Sequence, residues 1–297
     1  MAGLRDWITI PDKFKNLLIM PVQLVMNIVA MPAFALAWYV GFTNWSPAAG
    51  DWWEANFVLF DNFIKLAGDQ YFIGAILRTL LIVGICVPIE FALGFLLAYV
   101  LSGDFIGKKV VITIILVPMM VVPAVGGYIF YLMFLEYGPV NALLSLVTGT
   151  DFRIAWFNRP STALISIMLT DIWQWTPFMF LIFISSMLAL PQDPINAAYV
   201  LGASRGYTFR RVMLPMLRAP IMIALILRSI EAFKIFDYVY VMTKGGPGYT
   251  TQTITMFLYE WGFKYIRFGY VTSASLLIFI TMAIIGWYAS KPLRGVK

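Results

Sequence analysis

Long stretches without a charged side chain are the feature that most constrains this sequence. No charged residue lies between Lys15 and Asp51, and none lies in residues 110–135 or 268–289. The hydrocarbon core of a bilayer is about 30 Å thick, so a spanning helix needs roughly 20 mostly apolar residues. The stretches are continuously apolar rather than alternating, which argues against β-strands. They predict an all-α membrane protein.

Six apolar segments are long enough to be transmembrane helices. We predict spans at residues 17–42, 79–101, 110–135, 162–188, 219–241 and 268–289. The first segment is too long for a cleavable signal peptide and contains Pro21 and Pro32. Composition agrees with a multi-span protein, because only 12% of the residues are charged, whereas soluble domains have about 25%.

Lys and Arg residues concentrate in alternate connecting segments of the chain. These segments are residues 1–16, 102–109, 189–218 and 290–297. Cytoplasmic segments carry an excess of Lys and Arg, so both chain termini are predicted to be cytoplasmic. The formal net charge of +6 therefore reflects topology, and no nucleic-acid partner is expected.

The predicted spans divide the chain into three regions. Residues 1–70 form an N-terminal segment with the first transmembrane helix and an outer loop. Residues 71–290 form a five-helix core that includes the longest inner loop, residues 189–218. Residues 291–297 form a cytoplasmic tail.

Several kinds of chemistry are excluded by missing residue types. The sequence has no histidine and a single cysteine, Cys86, so His-dependent catalysis and Cys or His metal clusters are excluded. No Gly-x-x-x-x-Gly-Lys-Ser/Thr motif is present, so the chain is not expected to bind ATP. We expect a non-catalytic membrane protein without a cofactor of its own. Two alternatives are an ion-coupled secondary transporter and a membrane-embedded transferase using Glu90, Asp171 or Glu231.

The longest inner loop contains the signals of a short helix. Asp193 suits an N-cap position and Pro194 suits the first helical position. Gly202 suits the left-handed position that follows a helix. The pattern therefore predicts a helix of about two turns from Pro194 to Leu201.

A second short helix is predicted after the first. Ser204 is a suitable N-cap, and the helix is expected to end before Pro215. Helices this short are unstable alone in water and must pack against something. The local pattern leaves two surroundings open, the bilayer surface and a protein partner.

The same loop resembles the signature of the permease subunits of binding-protein-dependent ABC importers. The matching residues are Asn196-Ala197-Ala198, three residues, Gly202, nine residues, Val212, one residue and Leu214-Pro215. The resemblance implies that the loop docks in a groove of a cytoplasmic ATPase and transmits its closure. Asn196 stands where the family has Glu, so no charged pair is expected from that position. The implied coupling residues are Asn196, Ala197, Ala198, Gly202, Ala203, Ser204, Arg205, Leu214 and Pro215.

Two further stretches resemble the carbohydrate branch of that family, the maltose and glycerol-phosphate type permeases. They are residues 231–237 followed by 243–248, and residues 173–178. The resemblance implies a type I importer permease of six transmembrane helices in the bacterial cytoplasmic (inner) membrane, importing a sugar, polyol or sugar derivative. It also implies three kinds of partner: a second, non-identical permease, two ATPase subunits that bind ATP and Mg, and a periplasmic or extracellular solute-binding protein.

Charged residues inside a span need a partner or a wet cavity, because inserting one at the centre costs about 2.5–3.5 kcal/mol. The span 219–241 carries Arg228, Glu231, Lys234 and Asp237 at intervals of three. Residues three apart are neighbours on a helix. Two interpretations stay open: a ladder paired within the helix, or a hydrophilic path.

The span 162–188 combines a carboxylate, an amide and an aromatic ring at Asp171, Gln174 and Trp175. Such groups bind the hydroxyls and the C–H faces of sugars. Asp171 could instead pair with a basic residue of span 219–241, and Glu90 is expected to pair helices. The candidate solute pathway therefore contains Asp171, Gln174, Trp175, Glu231, Lys234 and Asp237.

Overall fold

A computed structural model describes residues 12–291 of the chain. Within this range the chain is mostly helical and contains no strand beyond an isolated bridge between Thr43 and Phe57. The prediction of an all-α protein is confirmed. Residues 1–11 and nearly all of the predicted cytoplasmic tail, residues 292–297, lie outside the described range.

Four unbroken helices are long and apolar enough to cross a bilayer. They are α1 (Asp12–Gly41), α3 (Gln70–Leu101), α7 (Pro160–Leu188) and α14 (Phe268–Ser290). The predicted span 79–101 begins earlier than expected, at Gln70. Asp69 caps that end, where Oδ1 accepts hydrogen bonds from the backbone N–H groups of Tyr71 and Phe72.

The remaining two predicted spans each belong to a pair of helical segments that meet at a bend. The span 110–135 consists of α4 (Lys108–Met120) and α5 (Pro123–Met133), which meet at 94°. The prediction of one continuous helix there is wrong. Pro123 cannot donate to the helical ladder, and it forces Val122 into an extended conformation, with φ −61° and ψ 130°.

The span 219–241 also differs from its prediction. It consists of α11 (Arg218–Phe233) and α12 (Asp237–Met242), and it meets the preceding segment Arg205–Met216 at 62°. By length and composition, the described residues contain four to six candidate membrane crossings, six if each bent pair counts as one span. The shorter helices are α2 (Asp61–Gly68), α6 (Pro139–Thr148), α8 (Gln192–Val200), α9 (Arg205–Thr208), α10 (Leu214–Met216) and α13 (Ile254–Tyr259).

The described chain forms two compact units. The first contains residues up to 66 and residues 261–279, and the second contains residues 67–260 and the chain from residue 280. Within the first unit, Ser273 Oγ donates to the backbone carbonyl of Gly41 over 2.5 Å. In the same unit, Asn62 Nδ2 donates to the carbonyl of Thr43 over 2.8 Å. These bonds tie α2 and α14 to the end of α1.

The core of the second unit lies between α3 and α7. Met179, Phe180 and Phe183 of α7 are buried there. Gly94 of α3 makes this approach possible, because a Cβ atom at position 94 would lie 2.6 Å from the Cβ of Met179. Small residues at helix interfaces allow such close backbone contact in membranes.

We expect Gly94→Ala to destabilise the fold, since its methyl group would lie only 2.8 Å from the backbone nitrogen of Phe180. Overpacking a tight core typically costs about 1–3 kcal/mol. The control is Gly84→Ala on the same helix, where the added atom has no neighbour within 4 Å. Thermal denaturation of the purified chain in detergent should show a lower midpoint for the Gly94 variant only. Equal midpoints for both variants would contradict the packing assigned to Gly94.

Candidate functional site

A buried ion cluster joins three helices of the second unit. Arg228 of α11 is 1% exposed. Its Nε donates to Oε2 of Glu90 on α3 over 2.6 Å, and its Nη2 donates to Glu90 Oε1 over 2.8 Å. Nη2 also donates to Oδ2 of Asp171 on α7 over 2.5 Å. Such charge-assisted bonds are the strong class of hydrogen bonds, so this cluster fixes α3, α7 and α11 together.

The paired ladder predicted along span 219–241 is wrong for Arg228, whose carboxylate partners come from two other helices. Sequence spacing shows only which residues are neighbours on one helix. It does not show which residues of a second helix contact them. The ladder holds for one pair, since Lys234 Nζ donates to Glu231 Oε1 over 2.8 Å. Two other predictions are confirmed. Asp171 pairs with a basic residue of this span, and Glu90 joins two helices.

The cluster also has the spacing of a possible metal site. The ligand atoms of Cys86, Glu90 and Asp171 lie within 4.8 Å of one another. Arg228 already donates to both carboxylates, and a guanidinium and a metal cation would compete for the same oxygens. We therefore interpret the group as an ion-pair network.

The break between α11 and α12 brings backbone to the surface of a cleft. Lys234, Ile235 and Phe236 form the connection between the two helices. The carbonyl of Ile235 accepts hydrogen bonds from Thr253 Oγ1 over 3.0 Å and from Thr255 Oγ1 over 2.5 Å. Irregular backbone at membrane depth needs such partners or a wet cavity.

A cleft of about 290 Å³ lies beside this break, and it collects most of the predicted pathway residues. The polar and aromatic part of its lining consists of Asp171, Trp175, Glu231, Lys234 and Asp237. The rest of its lining consists of Pro123, Ile235, Phe236 and Tyr238. Trp175 also contacts the ion cluster, since Arg228 Cζ lies 5.0 Å from the centroid of its ring. Cations are attracted to aromatic faces at this distance.

Gln174 does not line the cleft as the sequence predicted. Its side chain is buried, Nε2 donates to the carbonyl of Val121 over 2.5 Å, and Oε1 accepts from the hydroxyl of Tyr238 over 2.7 Å. The amide therefore satisfies the backbone at the α4–α5 bend and holds α12 against it. An amide side chain is a suitable solute ligand, but Gln174, one turn from Asp171, faces the α4–α5 bend.

The apolar residues of the cleft were not predicted from the sequence as part of its lining. Pro123 was the detectable signal, because a proline inside an apolar run predicts a break or kink. Ile235, Phe236 and Tyr238 carried no local signal, since their place in the cleft depends on the end of α11 at Phe233.

The loop between α7 and α11 contains the predicted short helix with a different start. Helix α8 begins at Gln192 after Pro191, with no side-chain cap. The N-cap role predicted for Asp193 is wrong, because Asp193 lies inside the first turn, where its carboxylate favours the helix dipole. Gly202 adopts the expected left-handed conformation, with φ +81°.

The second helix of the loop also differs from its prediction. Ser204 is its N-cap as predicted, with Oγ accepting from the backbone N–H of Tyr207 over 3.3 Å. The helix does not end before Pro215. It continues through a π-helical segment, Phe209–Met213, into α10. Proline lacks an amide donor, and π-helical turns often occur where the normal ladder is interrupted.

The end of α8 presents apolar side chains to the surroundings. Val200 is 86% exposed and Leu201 is 87% exposed. Ile195 lies on the opposite side, buried in the same apolar cluster as Leu217, the residue before α11, and Met187 of α7. Among the predicted coupling residues, Asn196, Ala197, Gly202, Ser204 and Arg205 are exposed, whereas Ala198, Ala203, Leu214 and Pro215 are partly buried.

Both the sequence and the fold are similar to those of known proteins. A family profile described as "Binding-protein-dependent transport system inner membrane component" matches residues 66–292. The chain belongs to this family. The permease is therefore a transport component and a multi-pass protein of the bacterial inner membrane, as predicted. The family assignment favours an importer over the ion-coupled carrier and the transferase.

Relatives cover nearly the whole permease. It is 30% identical to a sulfoquinovosyl glycerol transport system permease protein of Agrobacterium fabrum, over 95% of this chain and 91% of the relative. It is 31% identical to a trehalose/maltose transport system permease protein of Thermococcus litoralis, over 76% of each. A crystal structure of a bacterial ABC transporter involved in alginate import has the same fold, with a TM-score of 0.80 and 20% identity over 99% and 97% of the two chains.

Proposed function

We propose that this permease is the membrane-spanning subunit of an ATP-driven importer that carries a sugar, polyol or sugar derivative across the inner membrane. The observation that carries the proposal is the cleft beside the α11–α12 break, where carboxylates and aromatic rings line one cavity. The trehalose/maltose relative described above is named as a permease of a disaccharide transport system, which supports a saccharide as the solute.

The chemistry of the cleft suits a polyhydroxylated solute. The carboxylates of Asp171, Glu231 and Asp237 accept hydrogen bonds from hydroxyl groups. The rings of Trp175 and Phe236 offer apolar faces to the C–H surface of a sugar ring. Both kinds of group lie in the same lining, so one solute can contact them together.

The proposed importer needs partners that supply energy and solute. We propose a second, non-identical permease, two ATPase subunits that hold ATP and Mg, and an external solute-binding protein, the last in keeping with the family name. The exposed apolar pair Val200 and Leu201 is the surface that we assign to an ATPase groove. Large exposed apolar patches commonly mark protein interfaces.

Coupling can follow a continuous path of packed side chains. Ile195 anchors α8 in the apolar cluster that also contains Ala224 and Ala232 of α11. Helix α11 carries Arg228, and its last residues border the cleft. A displacement of α8 would therefore act on α11, the helix that carries Arg228 of the ion cluster and part of the cleft lining.

The proposal is tested by uptake in proteoliposomes that contain the complete importer, with ATP inside and binding protein outside. Uptake of radiolabelled trehalose or maltose should stop with vanadate and should continue with a proton uncoupler. The opposite pattern, with uptake collapsed by the uncoupler and insensitive to vanadate, would identify an ion-coupled carrier instead.

Asp171→Asn is expected to change the KM or the maximal rate of uptake several-fold while the importer still assembles. Asparagine keeps an oxygen that accepts from Arg228, and the paired bonds from Arg228 to Glu90 remain. A matched control is Asp151→Asn, because Asp151 is exposed and pairs only with Arg153 among the described residues. Unchanged kinetics in the Asp171 variant would remove this carboxylate from the solute pathway.

A further inference from the structure

The cleft has an uneven charge along its wall. Its lining includes three carboxylates, Asp171, Glu231 and Asp237, and a single basic side chain, Lys234. Lys234 is already engaged, because its Nζ donates to Glu231 over 2.8 Å. The ammonium group therefore neutralises a neighbouring carboxylate rather than offering a free positive charge to a solute.

Arg228 does not supply the missing positive charge. Its guanidinium is 1% exposed and is shared between Glu90 and Asp171. The Trp175 ring covers it from the side of the cleft, at 5.0 Å. An anionic group that entered the cleft would meet this aromatic ring, because Arg228 is not part of the cleft lining and its Nε and Nη2 donate to Glu90 and Asp171.

Asp237 adds an uncompensated negative charge. Within residues 12–291 no salt bridge joins Asp237 to a basic side chain. Four carboxylates and two basic groups occupy the cleft and the ion cluster behind it. A proton shared within the cluster would still leave a net negative charge. Clefts lined by one sign of charge focus the field and bias which solutes enter.

We infer that the cleft admits uncharged saccharides and excludes saccharides that bear a carboxylate, sulfonate or phosphate group. Hydroxyl groups donate to the carboxylates without penalty, whereas an acidic group faces like charges in a partly desolvated site. Like-charge contact is a common source of selectivity against a competing ligand. The inference rests on the proposed function, because it assumes that the solute passes through this cleft.

The charge of the cleft is measured with thiol reagents of opposite charge. Cys86 is the single cysteine, so Cys86→Ser gives a background without thiols. Phe236→Cys and Ile235→Cys each place a thiol on the cleft wall without changing its charge, and Leu146→Cys gives an exposed control on α6. Full-length protein in nanodiscs of zwitterionic lipid is labelled with trimethylammonium-ethyl and with sulfonato-ethyl methanethiosulfonate.

The ratio of the two labelling rates decides the inference. We expect the cationic reagent to be favoured over the anionic one by about tenfold or more at the cleft positions, relative to Leu146→Cys, the lower end of electrostatic steering effects. The ratio cancels any change in thiol reactivity, since both reagents attack the same thiolate. Asp237→Lys added to Phe236→Cys should abolish the preference, because three carboxylates and three basic groups would then occupy the cleft and the cluster. Asp151→Lys should leave the preference unchanged.

Three results would overturn the inference. They are an equal ratio at the cleft and control positions, a preference for the anionic reagent, and an absence of labelling at both cleft positions. Uptake by the complete importer separates this inference from the proposed function. Uptake of glucuronic-acid disaccharides as fast as that of trehalose or maltose would overturn the inference alone. An importer with the expected labelling ratio that transports no saccharide would overturn the proposed function.

Discussion

Arg228→Met is expected to prevent normal accumulation of the permease in the membrane. The substitution would leave Glu90 and Asp171 buried without the guanidinium that binds them both. Removing one partner of a buried ion pair costs about 3–5 kcal/mol, which is a large part of the total stability of about 5–15 kcal/mol typical of proteins. Membrane levels by immunoblot and unfolding temperature in detergent measure the effect.

Two further variants distinguish charge from packing at this site. The triple variant Arg228→Met, Glu90→Gln and Asp171→Asn removes every charge of the cluster, and it should recover much of the lost accumulation. Lys234→Met is the control, because Lys234 and Glu231 are both substantially exposed and exposed pairs contribute only about 0–1 kcal/mol. A triple variant as unstable as Arg228→Met would show that the size of the arginine, rather than its charge, stabilises the helices.

Gly202→Val is expected to reduce uptake by at least about tenfold while the permease still inserts and folds. A β-branched residue is strongly disfavoured at the φ of +81° that Gly202 adopts. The chain after α8 would leave this conformation, and the exposed Leu201 side chain would turn away from its present direction. An ATPase that docks on α8 would then lose its contact, so uptake should fall without loss of protein.

Gly149→Val is the matched control for that experiment. Gly149 follows α6 with φ +69°, and a Cβ atom there has no neighbour within 4 Å, as at Gly202. The two substitutions therefore impose the same kind of backbone strain at different places. Uptake and vanadate-sensitive ATPase activity are measured for both in the complete importer. Equal uptake for the two variants would mean that the α8 loop does not transmit the closure of the ATPase to the permease.

The loop between α7 and α11 shows which structural features a sequence pattern predicts reliably. The left-handed position at Gly202 and the cap at Ser204 follow from local backbone sterics and one side-chain hydrogen bond. The start of α8 and the continuation past Pro215 were predicted wrongly. The start of α8 depends on the packing of Ile195, and the continuation past Pro215 depends on a π-helical turn. No single residue specifies either feature.

The candidate pathway shows the same division. The residue types at Asp171, Trp175, Glu231, Lys234 and Asp237 indicated a polar site inside the membrane, and the structure places them around one cleft. Gln174 lies outside the lining of that cleft because its side chain is bound by Val121 and Tyr238, which lie far away in the chain.

The sequence by itself determined that this protein is an all-helical membrane protein with a short helix between its fourth and fifth predicted spans, and the motif in that loop indicated the permease family by resemblance. The helices follow from local properties, namely the length of apolar runs, helix caps and a left-handed glycine. The tertiary structure alone decided which carboxylates bind Arg228, where the spans bend and which side chains face the cleft. A buried charge must find its partners in three dimensions, because the membrane offers no water to satisfy it, and helical spacing describes only one helix at a time.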